Sequence, residues 1–149
     1  MYALGLRNAW GLAFHPISGA PYVTDNGSHG HDEINRVVPG GNYGSPEVSG
    51  IARDPRFVDP IWESAESGGG ITGLAFYSGP LFPRYQHDLL FCSVTNGQLI
   101  RLKLGGASFD QVLEQELLSN QCHLDVVAGP DGAIYFSSIN QVLRLVPVP

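Results

Sequence analysis

A short motif that recurs along the chain places the strongest constraint on its fold. Gly11-Leu12-Ala13-Phe14 returns as Gly73-Leu74-Ala75-Phe76, and Asp125-Val126-Val127-Ala128 occupies a similar place in a third unit. Each copy is followed by a turn and then by another apolar run, which is typical of antiparallel strands. Repeated units of three or four strands indicate the blades of a β-propeller.

Short apolar runs bounded by turn residues continue through the rest of the chain, and helical periodicity is nearly absent. The strongest hairpin signal is Asn96-Gly97. Segment 109–118 fits either a helix or a further strand, and segment 47–69 is predicted to be a long surface connection. Strands are predicted over residues 10–15, 20–25, 32–38, 70–77, 88–95, 98–104, 123–128, 133–138 and 141–146.

The length of the chain sets how much of a propeller it can form. A blade takes about 40–50 residues, so 149 residues provide about three blades of four-stranded antiparallel sheet. Closed propellers have about 4–8 blades. We therefore predict an all-β domain over residues 1–149 that forms part of a ring and leaves a bare sheet edge and an apolar blade face. Three explanations stay open: a fragment, two copies that complete one ring, or a misleading repeat.

The charge balance excludes several classes of partner. Acidic residues outnumber basic ones by 14 to 8, which gives a net charge of -6 and argues against binding to nucleic acid or to an anionic membrane surface. No apolar run approaches the ~20 residues of a membrane-spanning helix. The opening residues lack the pattern of a signal peptide, so we expect none in this chain. Cys92 and Cys122 either pair, if the blades bring them together, or remain buried thiols.

The densest polar cluster spans residues 25–35, between two predicted strands. It offers the carboxylates of Asp25, Asp32 and Glu33, two carboxamides and several backbone carbonyls. These hard oxygen ligands suit Ca²⁺, although the spacing is not that of an EF-hand loop. The alternative is an oxygen-rich turn that is capped by hydrogen bonds from its Asx side chains.

Other combinations in this cluster fit catalytic or zinc chemistry poorly. His29 and His31 supply only two nitrogen ligands where a zinc site needs about four, so we interpret them as loop histidines. Ser28, His31 and Asp32 contain the atoms of a hydrolase triad, but no nucleophile-elbow pattern surrounds the serine.

Two other sets of residues have a functional and a structural interpretation. Arg7 either binds an anion through its planar fork or pairs with a carboxylate. Four aromatic residues are interpreted as packing side chains rather than as stacking platforms: Trp10, Tyr43, Trp62 and Tyr85.

Several motifs, taken together, resemble those of one family. The motifs are Gly5-Leu6-Arg7-Asn8-Ala9-Trp10-Gly11-Leu12-Ala13-Phe14, Thr24-Asp25-Asn26-Gly27, Asp32-Glu33-Ile34-Asn35-Arg36, Pro39-Gly40-Gly41-Asn42-Tyr43-Gly44, Gly73-Leu74-Ala75-Phe76-Tyr77, Phe82-Pro83, Gly97-Gln98-Leu99 and Gly129-Pro130-Asp131-Gly132. With these motifs the sequence is similar to the soluble glucose/sorbosone dehydrogenase family, whose members include quinoprotein aldose sugar dehydrogenases. The motifs appear in the family's order and cover nearly the whole chain.

This resemblance implies a six-bladed propeller with pyrroloquinoline quinone (PQQ) and Ca²⁺ on its axis, of which the chain is the C-terminal half. It also implies oxidation of a sugar hydroxyl by hydride transfer to the quinone, and a periplasmic or secreted location. The family's catalytic histidine lies in the other half, so no residue here is assigned a catalytic role. The implied partner is a sugar substrate. The blade count and the bare edges, rather than the resemblance, motivate a second propeller half or, in a homodimer, a second copy as a further partner.

The resemblance also assigns residues to the implied cofactors. The residues that match quinone-binding positions are Arg7, Asn8 and Asp32. The residues that match calcium ligands are Gly27 and Ser28, through their carbonyls at the cofactor's ion, and Glu33 and the Tyr43 carbonyl, at a second, structural ion.

The sequence departs from the family's pattern at three places. Segment 121–125 lacks two arginines that pair with the quinone's carboxylates, which removes two charge-assisted contacts. Ser28 stands where proline is common, and Ser45 stands where tryptophan is common. The alternative function is therefore a non-catalytic propeller module for protein binding, as in the similar hedgehog-interacting proteins, or an inactive truncated relative.

Overall fold

Three antiparallel β-sheets form the structure, a computed structural model that describes residues 1–28, 30–66 and 68–148. In each sheet the strands follow one another in chain order, as they do in a propeller blade. Blade 1 contains β1 (Ala9–Phe14), β2 (Pro21–Asp25), β3 (Glu33–Arg36) and β4 (Trp62–Glu63). Blade 2 contains β5 (Ile71–Phe76), β6 (Leu89–Ser93), β7 (Gln98–Gly105) and β8 (Gln111–Ser119), with a 3-10 turn at Pro83–Tyr85. Blade 3 contains β9 (Val126–Ala128), β10 (Ile134–Ser137) and β11 (Val142–Leu145).

The prediction of an all-β partial propeller is confirmed, and so is the hairpin at Asn96-Gly97, which joins β6 to β7. Blade 3 has three described strands rather than four. No helix among residues 1–28, 30–66 and 68–148 has the length and apolar character needed to cross a bilayer.

One segment differs from its predicted structure, and another, which the sequence left ambiguous, is now assigned. Segment 47–69 is more than a surface connection, because it contains β4, which pairs with β3 and completes blade 1. The ambiguous segment 109–118 is largely strand β8. Its pairing with β7 places Glu116 opposite Arg101 and Glu114 opposite Lys103, and opposite charges across strands stabilise a sheet. This pairing overrides the helical spacing of the apolar residues.

The recurring motif marks the place where one blade packs on the next. The first strands of the three blades, β1, β5 and β9, lie side by side. A side chain at Gly11 would place its Cβ 2.7 Å from the Cβ of Leu74, and one at Gly73 would come within 2.4 Å of the Cα of Asp125. Both positions therefore require glycine, because the neighbouring backbone approaches too closely for any other residue.

Two apolar layers separate the three blades, and strand β6 contributes to both. Alternate side chains on a strand point to opposite faces of the sheet. Leu89 and Phe91 lie in the layer between blades 1 and 2, and Leu90 and Cys92 lie in the layer between blades 2 and 3. Burial on both faces explains why this strand is a continuous apolar run.

A disulfide bond joins Cys92 of β6 to Cys122, which precedes blade 3. Their Cα atoms are 5.2 Å apart, and both residues are fully buried. Of the two alternatives that the sequence left open, the structure therefore shows the disulfide rather than two buried thiols.

The four aromatic residues interpreted as packing side chains differ in burial. Tyr43 and Tyr85 are buried and Trp62 is partly buried, but Trp10 is 62% exposed. Trp10 lies on an outward face of blade 1 against which no blade packs in the part of the chain described here, so its packing role stays a prediction.

A buried histidine packs between blades 1 and 2. His15 is 1% exposed, and its ring lies 4.1 Å from that of Phe109 and 4.9 Å from that of Phe76, measured between centroids. Its Nδ1 accepts a hydrogen bond of 3.2 Å from the backbone N–H of Ser18. Burial lowers the pKa of His15, and the nearby His87 lowers it further.

We expect stability to fall as the pH decreases through the ordinary histidine value of 6.5. The unfolded chain then binds a proton that the folded chain excludes from His15, which favours unfolding. Urea unfolding at about pH 7.5 and about pH 5.5 measures the effect. The loss should be smaller in His15→Gln, and an equal loss in both proteins would contradict the assignment.

Candidate functional site

A cavity of about 320 Å³ in blade 1 contains most of the residues that the sequence singled out. It lies beside the ends of β2 and β3 and is closed by two loop segments. Its lining residues are Gly5, Arg7, Asp25, Gly27, Ser28, Glu33, Tyr43, Ser45, Pro46, Glu47, Val48 and Ser49.

Backbone hydrogen bonds hold the N-terminal segment against the glycine-rich loop that follows β3. The N–H of Tyr43 donates to the carbonyl of Leu4 at 2.9 Å, and the N–H of Ser45 donates to the carbonyl of Gly5 at 2.8 Å. This pairing places Arg7 on the same cavity wall as the tyrosine.

Asp25 holds the backbone of Arg7 and Asn8 in place. Its carboxylate accepts hydrogen bonds from the backbone N–H groups of Arg7 at 2.9 Å and of Asn8 at 2.5 Å. The guanidinium of Arg7 donates in turn to the carbonyls of Asn26 at 2.9 Å and of Gly27 at 3.1 Å. The Gly27 oxygen, one of the implied calcium ligands, therefore already accepts a hydrogen bond from the arginine.

Glu33 is a buried carboxylate on the cavity wall. It accepts hydrogen bonds from the N–H of Gly50 at 2.5 Å and from Nδ2 of Asn35 at 2.9 Å. Burial raises the pKa of Glu33, and the carboxylates of Asp25 and Glu63 act in the same direction. The Oδ1 atom of Asn35 is buried and has no hydrogen-bond partner among the described residues.

Asp32 connects blade 1 to the start of blade 2 instead of lining the cavity. Its buried carboxylate accepts hydrogen bonds from the N–H of Gly27 at 3.1 Å and from those of Gly69 and Gly70 at 2.7 Å each. Three backbone donors surround this carboxylate, so its evident role is to anchor loops.

The structure brings five of the seven predicted site residues to one cavity. The five are Arg7, Gly27, Ser28, Glu33 and Tyr43. The backbone of Asn8 is held by Asp25, but Asn8 and Asp32 do not belong to the lining. Their predicted contact with a quinone stays a prediction.

The histidines of the polar loop do not assemble a metal centre in the described part of the chain. Nδ1 of His31 lies 3.6 Å from a carboxylate oxygen of Glu63, and His29 lies outside the described residues. Among the residues that the structure describes, no three side chains of His, Cys, Asp or Glu are grouped to hold a metal. A cation in the cavity would therefore need carbonyl or hydroxyl oxygens as additional ligands.

Sequence reasoning missed one wall of the cavity, which Ser45, Glu47 and Ser49 help to form. Two of these residues lie in the segment interpreted as a surface connection. The glycines at either end, Gly44 and Gly50, were the available signal. Gly50 has φ +75, a left-handed backbone conformation that favours glycine and lets the chain fold back here.

The charge of the lining favours a cation over an anion. The carboxylates of Asp25, Glu33 and Glu47 face a single basic side chain, Arg7. Glu47 is also paired with Arg56, at 2.9 Å, outside the cavity. The remaining polar atoms of the lining are hydroxyl and carbonyl oxygens, which belong to the class of hard ligands.

Comparison with known proteins gives consistent matches. The sequence profile of the Glucose / Sorbosone dehydrogenase family matches residues 1–146. A glucose dehydrogenase-type oxidoreductase from Thermus thermophilus is 36% identical, superimposes with a TM-score of 0.84, and is matched over 98% of this chain and 47% of its own. The aldose sugar dehydrogenase of Escherichia coli K12 is 28% identical over 99% of this chain and 44% of its own length.

A further relative matches only part of the chain. The quinoprotein glucose dehydrogenase B of Acinetobacter calcoaceticus is 48% identical over 44% of this chain and 13% of its own length. The chain therefore spans less than half the length of these relatives.

We expect Asp32→Asn to destabilise the protein by about 2–3 kcal/mol, because an amide nitrogen would replace one oxygen that accepts from backbone N–H groups. Urea unfolding measures the change. The exposed Asp110→Asn is the matched control and should remain within about 0.5 kcal/mol of the wild type. Equal stabilities of the two variants would show that Asp32 is not an anchor.

Proposed function

Because the chain belongs to the glucose/sorbosone dehydrogenase family, we propose that it forms one wall of the cofactor site of a calcium- and PQQ-dependent sugar oxidoreductase. The observation that carries the proposal is the single cavity that Arg7 and the buried Glu33 line together with hydroxyl and carbonyl oxygens. Since the chain spans less than half of its relatives, the complete activity would need further blades.

The residues present fit a calcium ion. Glu33 is buried close to two other carboxylates, and burial together with these neighbours raises its pKa. The unpartnered Oδ1 of Asn35 belongs to the carboxamide that contacts Glu33. A divalent cation at this place would compensate the negative charge, with Glu33 as a direct ligand and carbonyls of the lining as further ligands.

Fewer residues of this chain are available to contact PQQ than to hold the cation. PQQ carries carboxylates, and Arg7 is the basic residue of the described lining. The side chain is exposed, and its Nη1 donates to the carbonyls of Asn26 and Gly27 among the described residues. Its remaining N–H groups could hold one carboxylate in a bidentate contact. The other anionic groups would need partners from outside this chain.

In the proposed reaction the bound quinone supplies the capacity to accept a hydride from the sugar. The contribution of this chain is to bind and orient. Arg7, fixed through its own backbone by Asp25, would hold the cofactor's edge, and Glu33 would hold the cation. None of these residues is proposed as the general base, which we assign to the part of the protein outside this chain.

The disulfide supports the proposed periplasmic or secreted location. Disulfides persist in oxidising compartments and are rare in the reducing cytosol. Cys92 and Cys122 are joined across two blades and fully buried, which is typical of a structural bond.

A second candidate function is a non-catalytic propeller module. The excess of carboxylates in the cavity favours it, and so does the segment 121–125, which carries no arginine. In this alternative the cation would have a structural role only, so calcium would bind and PQQ would not.

We expect calcium to bind the wild-type chain and raise its melting temperature, and Glu33→Gln to remove most of this effect because the variant lacks the charged ligand. Isothermal titration with Ca²⁺ and thermal unfolding are the measurements. The exposed Glu66→Gln, outside the cavity lining, is the control and should behave as the wild type. Unchanged calcium binding by Glu33→Gln would contradict the assigned ligand.

We further expect PQQ to bind the calcium-loaded chain, and Arg7→Ala to weaken the affinity by about tenfold through loss of a charge-assisted contact. A calorimetric titration measures this, with circular dichroism to verify folding. Arg53→Ala is the matched control, since Arg53 is exposed and does not line the cavity. Absence of PQQ binding by a folded, calcium-loaded chain would favour the non-catalytic module.

A further inference from the structure

A pocket of about 200 Å³ lies between blades 1 and 2 and shares no lining residue with the candidate cavity. We call it the interblade pocket. Its walls come from β4, from the connection that leads to β5, and from the strands of blade 2. Strand β4 has two residues, whereas β7 and β8 have eight and nine. The outer strand of blade 1 is therefore too short to cover the whole facing surface of blade 2.

The buried side of the interblade pocket is apolar. Ile71, Phe91 and Ile100 line it and are at most 8% exposed. The indole ring of Trp62 packs against the ring of Phe91, with centroids 5.0 Å apart, and remains partly exposed. Its N–H donates to Oε1 of Gln115 at 2.8 Å. This hydrogen bond connects the two blades beside the pocket and restrains the aromatic ring.

The exposed side of the interblade pocket carries three carboxamides. Asn96 and Gln115 are exposed, and Gln98 is half-buried. Among the residues that the structure describes, the side chains of Asn96 and Gln98 have no hydrogen-bond partner. A carboxamide both donates and accepts hydrogen bonds and carries no charge. The described lining contains no Asp, Glu, Lys, Arg or His, so this pocket is neutral, unlike the candidate cavity.

We propose that the interblade pocket binds one pyranose ring of a neutral carbohydrate, at a site additional to the proposed cofactor site. A pyranose has an apolar face of C–H groups, which matches the aromatic and aliphatic side of the pocket. Its hydroxyls both donate and accept, as the carboxamides do, so they would not be buried without partners. The volume is below the roughly 300–1,000 Å³ of pockets for drug-sized ligands, which suits a single ring.

The neutral lining argues against other ring-shaped ligands of similar size. Nucleotides and sugar phosphates carry phosphate groups, which proteins bind with charge-assisted hydrogen bonds from Arg or Lys. The described lining supplies neither side chain, and the net charge of -6 would repel an anion. The pocket therefore favours an uncharged, polyhydroxylated ligand.

The wall formed by the connection to β5 is already fixed in the structure. The hydroxyl of Ser64 accepts a hydrogen bond from the N–H of Asp32 at 2.8 Å. The carboxylate of Asp32 accepts from the N–H of Gly69 at 2.7 Å, and Ser93 of blade 2 donates its hydroxyl proton to the carbonyl of Gly69 at 2.5 Å. A ligand would not have to order this wall, which reduces the entropic cost of binding.

Fluorescence titration of the 149-residue chain with methyl α-D-glucopyranoside, without calcium or PQQ, tests the proposal. The anomeric hydroxyl of this probe is methylated, so its binding is separate from the proposed oxidation. The chain has two tryptophans, and Trp10→Phe leaves Trp62 as the only one. We expect a saturable change in Trp62 fluorescence with a Kd of about 1 mM, since a ligand of this size has few atoms to bind through.

Two matched variants in the Trp10→Phe background locate the site. Gln98→Ala should weaken binding by about tenfold, because it removes a carboxamide that would hydrogen-bond the sugar hydroxyls. Gln111→Ala is the control and should bind as the parent does, since Gln111 is exposed on β8 and does not line the pocket. Saturating glucoside should raise the melting temperature of the parent and the control. Circular dichroism verifies that each protein is folded.

Three results would overturn the proposal. One is an unchanged Trp62 fluorescence and melting temperature in the folded parent at about ten times the expected Kd. Another is equal affinity of Gln98→Ala and Gln111→Ala for the glucoside. The third is tighter binding of adenine than of the glucoside, which would assign the pocket to a flat base. None of these measurements involves calcium or PQQ, so their failure would leave the proposed function standing.

Discussion

The three blades depend on two threonine hydroxyls that connect their inner strands. Thr24 of blade 1 accepts a hydrogen bond from the N–H of Gly11 and donates to the carbonyl of Thr72 at 2.7 Å. Thr72 of blade 2 donates to the carbonyl of His123, ahead of blade 3, at 2.9 Å. Each bond satisfies a carbonyl that the neighbouring blade would otherwise bury without a partner. Since the bonds lie near the start of β5 and β9, they also keep the inner strands in register. The loops of successive blades therefore converge at one end, where Asp32 connects blade 1 to the glycines before β5.

Local signals in the sequence account for most of the fold and for part of the site. The repeat, the Asn96-Gly97 hairpin and the alternating apolar runs are local, and the structure follows them. Strand β4 has two residues in a proline-containing segment and is defined only by its pairing with β3, which no local pattern can indicate. The role of Asp32 as an anchor for loops could not be predicted from the sequence either. Its donors include backbone N–H groups 37 and 38 residues away, and a backbone donor has no signature in the sequence.

The cavity illustrates how backbone donors permit buried negative charge. Asp25 and Glu33 are both buried, and each accepts at least one backbone N–H in addition to its other contacts. Such bonds reduce the cost of desolvation but do not remove it for Glu33, whose pKa remains raised. The family pattern located Asp25 and Glu33 but did not indicate how far hydrogen bonds offset the cost of burying their charges. For Glu33 this depends on the loop that brings the N–H of Gly50 against the carboxylate. The guanidinium of Arg7 does not contribute to this balance through a direct hydrogen bond, because its described partners are the carbonyls of Asn26 and Gly27.

Each of the two interfaces between blades contains a hydrogen bond from a tyrosine hydroxyl to a backbone carbonyl. Blade 1 packs against a neighbouring blade on one side in the described structure. Tyr22 donates its hydroxyl proton to the carbonyl of Phe109 across the first interface, and Tyr77 donates to that of Gly132 across the second. Stability in such arrays is approximately a sum of units and nearest-neighbour contacts, so an end blade receives one contribution fewer. The N-terminal segment is the part of blade 1 most affected, since its residues line both the cavity and an exposed apolar groove of blade 1. This segment carries Arg7, whose backbone N–H is held by Asp25, so the position of the cavity's basic side chain depends on the blade that receives the fewest contacts.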